Sequence, residues 1–312
     1  HFFDYWVLRN SYYNLKGVHA GFTNWVGVVS CESAAFDKYL TAIKYVKGIN
    51  WEENWGFSRI YDPRYVHPIV PYYQTLLAMA AGARGFNVYT GVATSRWDSH
   101  IDSTHERPYP ATPPIDDQGN DAAQAPILRA LNRFFKSEER DFLACENEAR
   151  IAYLLDLHYS AAAGFEKSRF ARLRHLHGGV SLRDFVHHCK ETNTNFDLVN
   201  AHCEHPASLA KHDFVVMPSC FFMSRRMQRM AVSLLEGRKL VLWFGELPEL
   251  DEKMQPCAIL ADFIRRRRPI NLVRIGGLSP VTAKRWAEVF GRLGLEPPRS
   301  RARIYYQRYV SR

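Results

Sequence analysis

The residues of this chain best suited to acid–base chemistry sit in the stretch KGINWEENWGF, residues 47–57. Two adjacent carboxylates, Glu52 and Glu53, stand between Trp51 and Trp55. Indole walls move the pKa of a carboxylate by shielding it from water, and they offer planes on which a sugar ring can stack. The pattern predicts a buried strand from Tyr45 to Trp51 that ends on the two acids. Gly56 then permits a sharp exit that leaves a side chain at the rim. Because side chains alternate along a strand, only one of the two glutamates faces a given side, so either Glu52 or Glu53 could be the reactive one. The plain alternative is two solvated acids opening a loop.

The surrounding elements must hold such a strand. Helical spacing runs over Phe2–Leu15 and again over Phe36–Val46, with a buried strand at Thr23–Val29 between them. Val70–Ala81 is an apolar helix stopped by Gly82, and Ala83–Gly91 is a second buried strand. Strand, helix and strand of these lengths make a βαβ unit with parallel strands. Residues 97–119 form a long loop with prolines at 108, 110, 113 and 114, and loops this long are more often functional than decorative. An amphipathic helix follows at Pro126–Leu143.

Near residues 140–148 the pattern restarts. Strands are expected at 150–155, 196–199, 213–218 and 239–244, with helices around 185–190 and 225–236, the latter capped by Ser224 and ended by Gly237. This alternation predicts a doubly wound parallel sheet of the flavodoxin-like kind, without a phosphate-binding loop. A strand at 272–275, a helix at 281–293 and a strand at 304–310 close the chain, the last read as the start of a further unit.

Composition bounds the function class. The 312 residues carry 46% hydrophobic and 23% charged residues, a globular composition rather than a disordered one. The net charge of +9 is concentrated in Arg265–Arg268 and from Arg299 onward, and no zinc finger, RNP-like signature or phosphate loop accompanies it. No nucleic acid partner is therefore expected. Six scattered cysteines without a CxxC pair favour reduced thiols and a cytoplasmic location. His187-His188-Cys189 and the run from His202 to His205 match no zinc module, so neither a metal nor a cofactor is expected. No apolar run reaches the ~20 residues that span a bilayer.

Three stretches carry a resemblance to the β-galactosidases of glycoside hydrolase family 42 and their relatives. Residues 52–57 (EENWGF) resemble the nucleophile strand. Residues 77–89 (LAMAAGARGFNVY) resemble the last helix and strand of the barrel. Arg96-Trp97, followed by Pro114, Ile115, Asp116 and Gly119, resembles the loop after that strand. The second half, with residues 214–219 (FVVMPS) and 245–248 (GELP), resembles the domain through which many members trimerise. The resemblance implies an α/β chain: the C-terminal part of a (β/α)8 TIM barrel over residues 1–145 and a flavodoxin-like trimerisation domain over 146–265. Residues 266–312 would then hold the end of that domain and the start of a C-terminal β-domain.

The same resemblance implies retaining hydrolysis of terminal β-galactosides, with Glu52 as nucleophile and Glu53 as its alternative. Trp55, Asn87 and Trp97 would line the sugar subsite, Tyr89 would orient the nucleophile, and Arg96 would belong to the substrate-binding loop. The partners implied are a β-galactoside or related oligosaccharide and two further copies of the chain. The general acid has no counterpart before residue 45, where Glu32 is the only glutamate, so the chain alone is expected to be inactive. A non-catalytic sugar-binding or oligomerisation protein is the alternative. An amidotransferase-type second domain is a third reading, and it would require a reactive Cys220.

Overall fold

The structure is a computed structural model that describes residues 21–23, 29, 32–56, 67–96, 100, 103, 107–165, 173, 179–201, 206–277, 279–295 and 309–311. The helix read at Phe2–Leu15, most of the strand read after Thr23, Trp97 and the run from His202 to His205 lie outside these residues. The chain divides into two compact units, with the boundary at residues 147 and 148 and the last residues belonging to the first unit.

In the first unit, β1 (Gly21–Thr23), β2 (Ile49–Asn54) and β3 (Gly85–Tyr89) form a parallel sheet in that order. Helix α1 (Ser33–Val46) joins β1 to β2, and α2 (Ile69–Ala81) joins β2 to β3. These are consecutive βα steps of a barrel, a partial (β/α)8 arrangement. One boundary differs from the sequence reading: Tyr45 and Val46 finish a helix rather than open a strand. Lys47 takes the left-handed conformation (φ 51°) and its N–H caps the Ile43 carbonyl, so β2 begins only at Ile49 and contains both glutamates.

After β3, the long loop is knitted at its base. Ala93 N–H donates to the Ile115 carbonyl (3.0 Å), Ile115 N–H to Gly91 (3.1 Å), and Thr94 and Tyr109 exchange both backbone bonds. Helix α3 (Ala125–Ala144) then packs Phe135 on Phe86 of β3. The short strand β4 (Cys145–Asn147) ends the segment.

The second unit is a five-stranded parallel sheet: β5 (Ile151–Leu155), β6 (Phe196–Asn200), β7 (Phe214–Ser219), β8 (Leu240–Gly245) and β9 (Leu272–Arg274), in the order β6-β5-β7-β8-β9. That is the 2-1-3-4-5 order of flavodoxin-like folds. β5 and β7 are buried along their whole length, as apolar runs covered on both faces must be. On one face Leu154, Val215, Met217 and Val241 meet Met227, Leu234 and Leu260 from α6 (Arg225–Glu236) and α7 (Ile259–Arg267). On the other, Tyr153 stacks near Phe185 of α5 (Val180–Glu191), and Phe185 and Phe244 meet Trp286 of α8 (Ala283–Arg292). Helix α4 (Leu157–Phe165) follows β5 directly.

β9 and α8 lie past residue 265 and complete the second unit, where the end of that domain was expected; Trp286 is fully buried and donates its indole N–H to the Ser181 carbonyl (3.1 Å). The final strand, β10 (Tyr309–Ser311), pairs antiparallel with β4 of the first unit, Tyr309 opposite Asn147, and the Tyr309 hydroxyl donates to the Met79 carbonyl. Among the described helices none is long and apolar enough to cross a membrane.

Candidate active site

The site is built on β2, and its geometry begins with an irregularity. Asn50 pairs with Phe22 on β1 and Phe86 on β3. Thr23 then pairs with Glu52, and Glu53 with Val88, so β2 carries one residue more than either neighbour across this step. A bulge of this type breaks the alternation of side chains. Asn50 and Glu53 therefore share the face covered by helices, where Phe22 meets Tyr39 of α1 and Phe86 meets Phe135 of α3. Trp51 and Glu52 fall together on the opposite, open face of the sheet.

Burial follows the same division. Glu53 is wholly buried; it accepts hydrogen bonds from the Tyr39 hydroxyl (2.8 Å), Gln74 Nε2 of α2 (2.9 Å) and Asn50 Nδ2 (2.5 Å). Burial pushes its carboxyl up to about 7, against the opposing pull of those hydrogen bonds. Glu52 is partly exposed, and Trp51 beside it is 43% exposed. The Trp51 ring lies over Gly21, where an added Cβ would fall 1.9 Å from the ring's Cδ1, so only glycine leaves room for it.

The other residues expected at the site are placed as follows. Trp55 is 1% exposed on the helix face and donates its indole N–H to Thr75 Oγ1 (3.2 Å). It is a core side chain here, removed from the open face by the alternation that follows Glu53. Asn87 lies on the open face, and its Nδ2 donates to the Trp51 carbonyl (3.0 Å), bracing the bulge. Tyr89 is half-buried, and its carbonyl accepts the N–H groups of Trp55 (2.8 Å) and Gly56 (3.3 Å). Gly56 serves close approach rather than an unusual dihedral, because a Cβ there would meet the Thr90 carbonyl at 2.3 Å. Arg96 is exposed on the loop after β3. Asp116 shapes that loop: its carboxylate accepts the N–H groups of Asn120 (2.7 Å) and Gln118 (2.9 Å), which hold its pKa below the ordinary value. Glu32 stands at the N-cap of α1.

Asn50 is not among the residues that the sequence singles out, and Trp51 enters there only as one of the two indoles flanking the acids. The signal for Asn50 is its position two residues before Glu52, the spacing of a side chain that caps its own backbone.

In the second unit, Cys220 follows β7 with its Sγ 3.8 Å from Glu246 Oε2. Burial pushes the thiol up to about 12, and the Glu246 carboxylate adds to the rise. A nucleophilic cysteine requires the reverse, a cationic neighbour that favours the thiolate. His158 is committed to Asp156 (3.0 Å), which raises its pKa, and His212 to Asp197 (2.9 Å). The amidotransferase reading is not supported by these surroundings. Among the described residues no three His, Cys, Asp or Glu side chains group as metal ligands would.

Comparison with known proteins bears on the same two units. Residues 161–290 match the family described as GLMA-like, second domain. The exo-β-D-glucosaminidase of Pyrococcus horikoshii is 25% identical over 185 residues, 58% of this chain and 22% of that enzyme. The structure is similar to the apo exo-carrageenase GH42 of Bacteroides ovatus, with a TM-score of 0.52 and 11% identity over 83% of this chain and 33% of that one. It is similar to the β-galactosidase of the psychrophilic Marinomonas ef1, with a TM-score of 0.51 and 14% identity over 77% and 35%. The chain is GH42-like in fold. The resemblance to the GH42 enzymes and their relatives is borne out at the level of the fold. The chain spans about a fifth of the length of its glucosaminidase relative and about a third of the two solved enzymes.

Proposed function

We propose that this chain carries the nucleophile strand of a retaining exo-β-glycosidase, with Glu52 as the nucleophile. The observation that carries this reading is the bulge in β2, which divides the two glutamates between faces. Glu52 takes the open face near the C-terminal end of a barrel strand, where βα barrels place their chemistry. Glu53 is enclosed between sheet and helices, and with a pKa of about 7 it is a poor candidate for a group that must stay ionised. In the reaction, Glu52 attacks the anomeric carbon as the glycosidic C–O bond breaks, and a second carboxyl ~5–5.5 Å away protonates the departing oxygen; that carboxyl, now ionised, takes a proton from the water that hydrolyses the glycosyl ester and frees Glu52. Of the two indoles that the sequence offers for ring stacking, Trp51 takes the role, and Asn87 and Tyr89 line the same face. Arg96, on the loop after β3, contributes to substrate binding in this reading.

The sugar is a terminal β-galactoside, as the motifs imply. A β-glucosaminide is the second reading, favoured by the alignment of 185 residues with an enzyme of that name. Comparing kcat/KM on nitrophenyl β-galactoside and nitrophenyl β-glucosaminide decides between them. An activated fluorosugar and mass spectrometry of the complete enzyme test the nucleophile; a label on Glu53 would overturn the assignment and leave the mechanism. Residues 148–295 serve assembly into a trimer, which light scattering tests. The 312-residue chain by itself is expected to lack turnover because the acid is unassigned within it, and general acid–base help contributes ~10²–10⁴-fold.

A further inference from the structure

The bulge that turns Glu52 outward has a holder. Asn50 Oδ1 accepts the backbone N–H of Glu52 (3.1 Å), a local side-chain turn within the bulge. The other end of the same carboxamide, Nδ2, donates to Glu53 Oε2 (2.5 Å) and to the Tyr39 hydroxyl oxygen (2.9 Å). Tyr39 comes from α1 and Gln74 from α2, so two helices fix the Glu53 carboxylate to which Asn50 is tied. One carboxamide thus connects the peptide of Glu52 to a fully buried anchor.

We infer that Asn50 and Glu53 are positioning residues: together they hold the bulge that turns the Glu52 side chain to the open face and fix its backbone there. This rests on Glu52 being the nucleophile. Glu53 acts through Asn50, and Asn50 acts through the Glu52 amide; neither faces the sugar. Their work is orientation, to which nucleophilic attack is steeply sensitive, a displacement of about 1 Å costing about 10²-fold in rate. A network that merely stabilised the sheet would move stability and leave the division between kcat and KM alone.

The test uses the complete natural enzyme with three variants: Asn50→Ala, Asn50→Asp, and Asn50→Asp combined with Glu53→Gln. Three measurements are made on each: kcat and KM on a nitrophenyl glycoside, the residue labelled by a fluorosugar, and amide hydrogen exchange at Glu52. Asn50→Ala is expected to lose about 10²-fold in kcat with KM within about threefold, and to exchange the Glu52 amide faster. Asn50→Asp keeps the acceptor for that amide but sets two buried carboxylates against each other, and is expected to lose activity as well. The double variant restores the pairing with its direction reversed, the new carboxamide at position 53 donating to the new carboxylate at position 50. It should recover at least about tenfold of the lost kcat. The inference is overturned if the folded double variant is no faster than Asn50→Asp, or if Asn50→Ala leaves the Glu52 amide exchanging at its original rate. A wild-type label on another residue overturns the nucleophile reading and the positioning role with it. The exchange measurement separates the two failures, because it reports the Asn50 bond whichever carboxylate reacts.

Discussion

Replacing Glu53 by glutamine should flatten the pH dependence of stability between about pH 5 and 8. The carboxyl titrates at about 7 in the folded protein, raised by burial from its ordinary 4.5. Folding therefore takes up a proton at Glu53 between those two values. The stabilisation is complete below 4.5 and is lost as pH rises through about 7, the reverse of a salt-bridged carboxylate. At ~1.4 kcal/mol per pH unit, the interval corresponds to roughly 3 kcal/mol, an upper figure for one buried group. Glutamine at this position stays neutral throughout. It can keep its partners by rotation of the Gln74 carboxamide, whose buried Oε1 has no hydrogen-bond partner in the structure. The assay is urea unfolding at several pH values for both proteins, read as the difference between them. That difference cancels the histidines, of which His158 also has a raised pKa. Glu53→Gln should gain relative to the wild type as pH rises, approaching the full difference near about pH 8. Parallel stability curves for the two proteins would refute the burial argument.

Glu52→Gln in the complete enzyme should abolish nearly all turnover while leaving the unfolding curve in place, since an amide cannot form the glycosyl ester; activity within about tenfold of wild type would remove Glu52 from the reaction. Cys220 should resist iodoacetamide at about pH 8 in the native protein and react once unfolded, as a thiol pushed up to about 12 must; fast native alkylation at Cys220 would reopen the nucleophile reading. A chain of residues 148–295 should fold on its own, whereas 149–265 should not, because the shorter piece lacks Trp286 and Phe290, buried rings of a kind whose truncation costs ~3–5 kcal/mol each. Circular dichroism and thermal unfolding of both pieces would show it, and a cooperative transition in the shorter one would contradict the role given to α8.

The architecture was legible where hydrophobic period and punctuation agreed. The alternation after residue 149, the Ser224 cap, which accepts the Met227 N–H (3.2 Å), and the apolar helix before Gly82 all lie close to where their residues put them. Helix α7 was not legible because Arg265, Arg266 and Arg267 read as a surface charge run; in the fold they occupy the last turn of that helix, where cations complement the C-terminal dipole. The site was half legible. The acids were in plain view, but their faces depended on an extra residue in β2, and strict alternation says nothing of a bulge. Trp51 and Trp55 look equivalent in the sequence, and only the bulge between Asn50 and Glu53 sends one to the open face and the other into the core.

The pairing of β10 with β4 makes the first unit discontinuous along the chain, since residues 145–147 and 309–311 are neighbours in one ladder while the second unit occupies the sequence between them. During synthesis the first unit's sheet can form early, but this ladder must wait for everything in between. Closing so long a loop from an unfolded chain carries an entropic cost that grows with the logarithm of its length. A second unit that folds first replaces that loop with a compact body and leaves only short connections to close. Assembly thus has a built-in order, in which β10 joins a unit that precedes it along the chain, and destabilising residues 148–295 would delay completion of a ladder to which they contribute no strand.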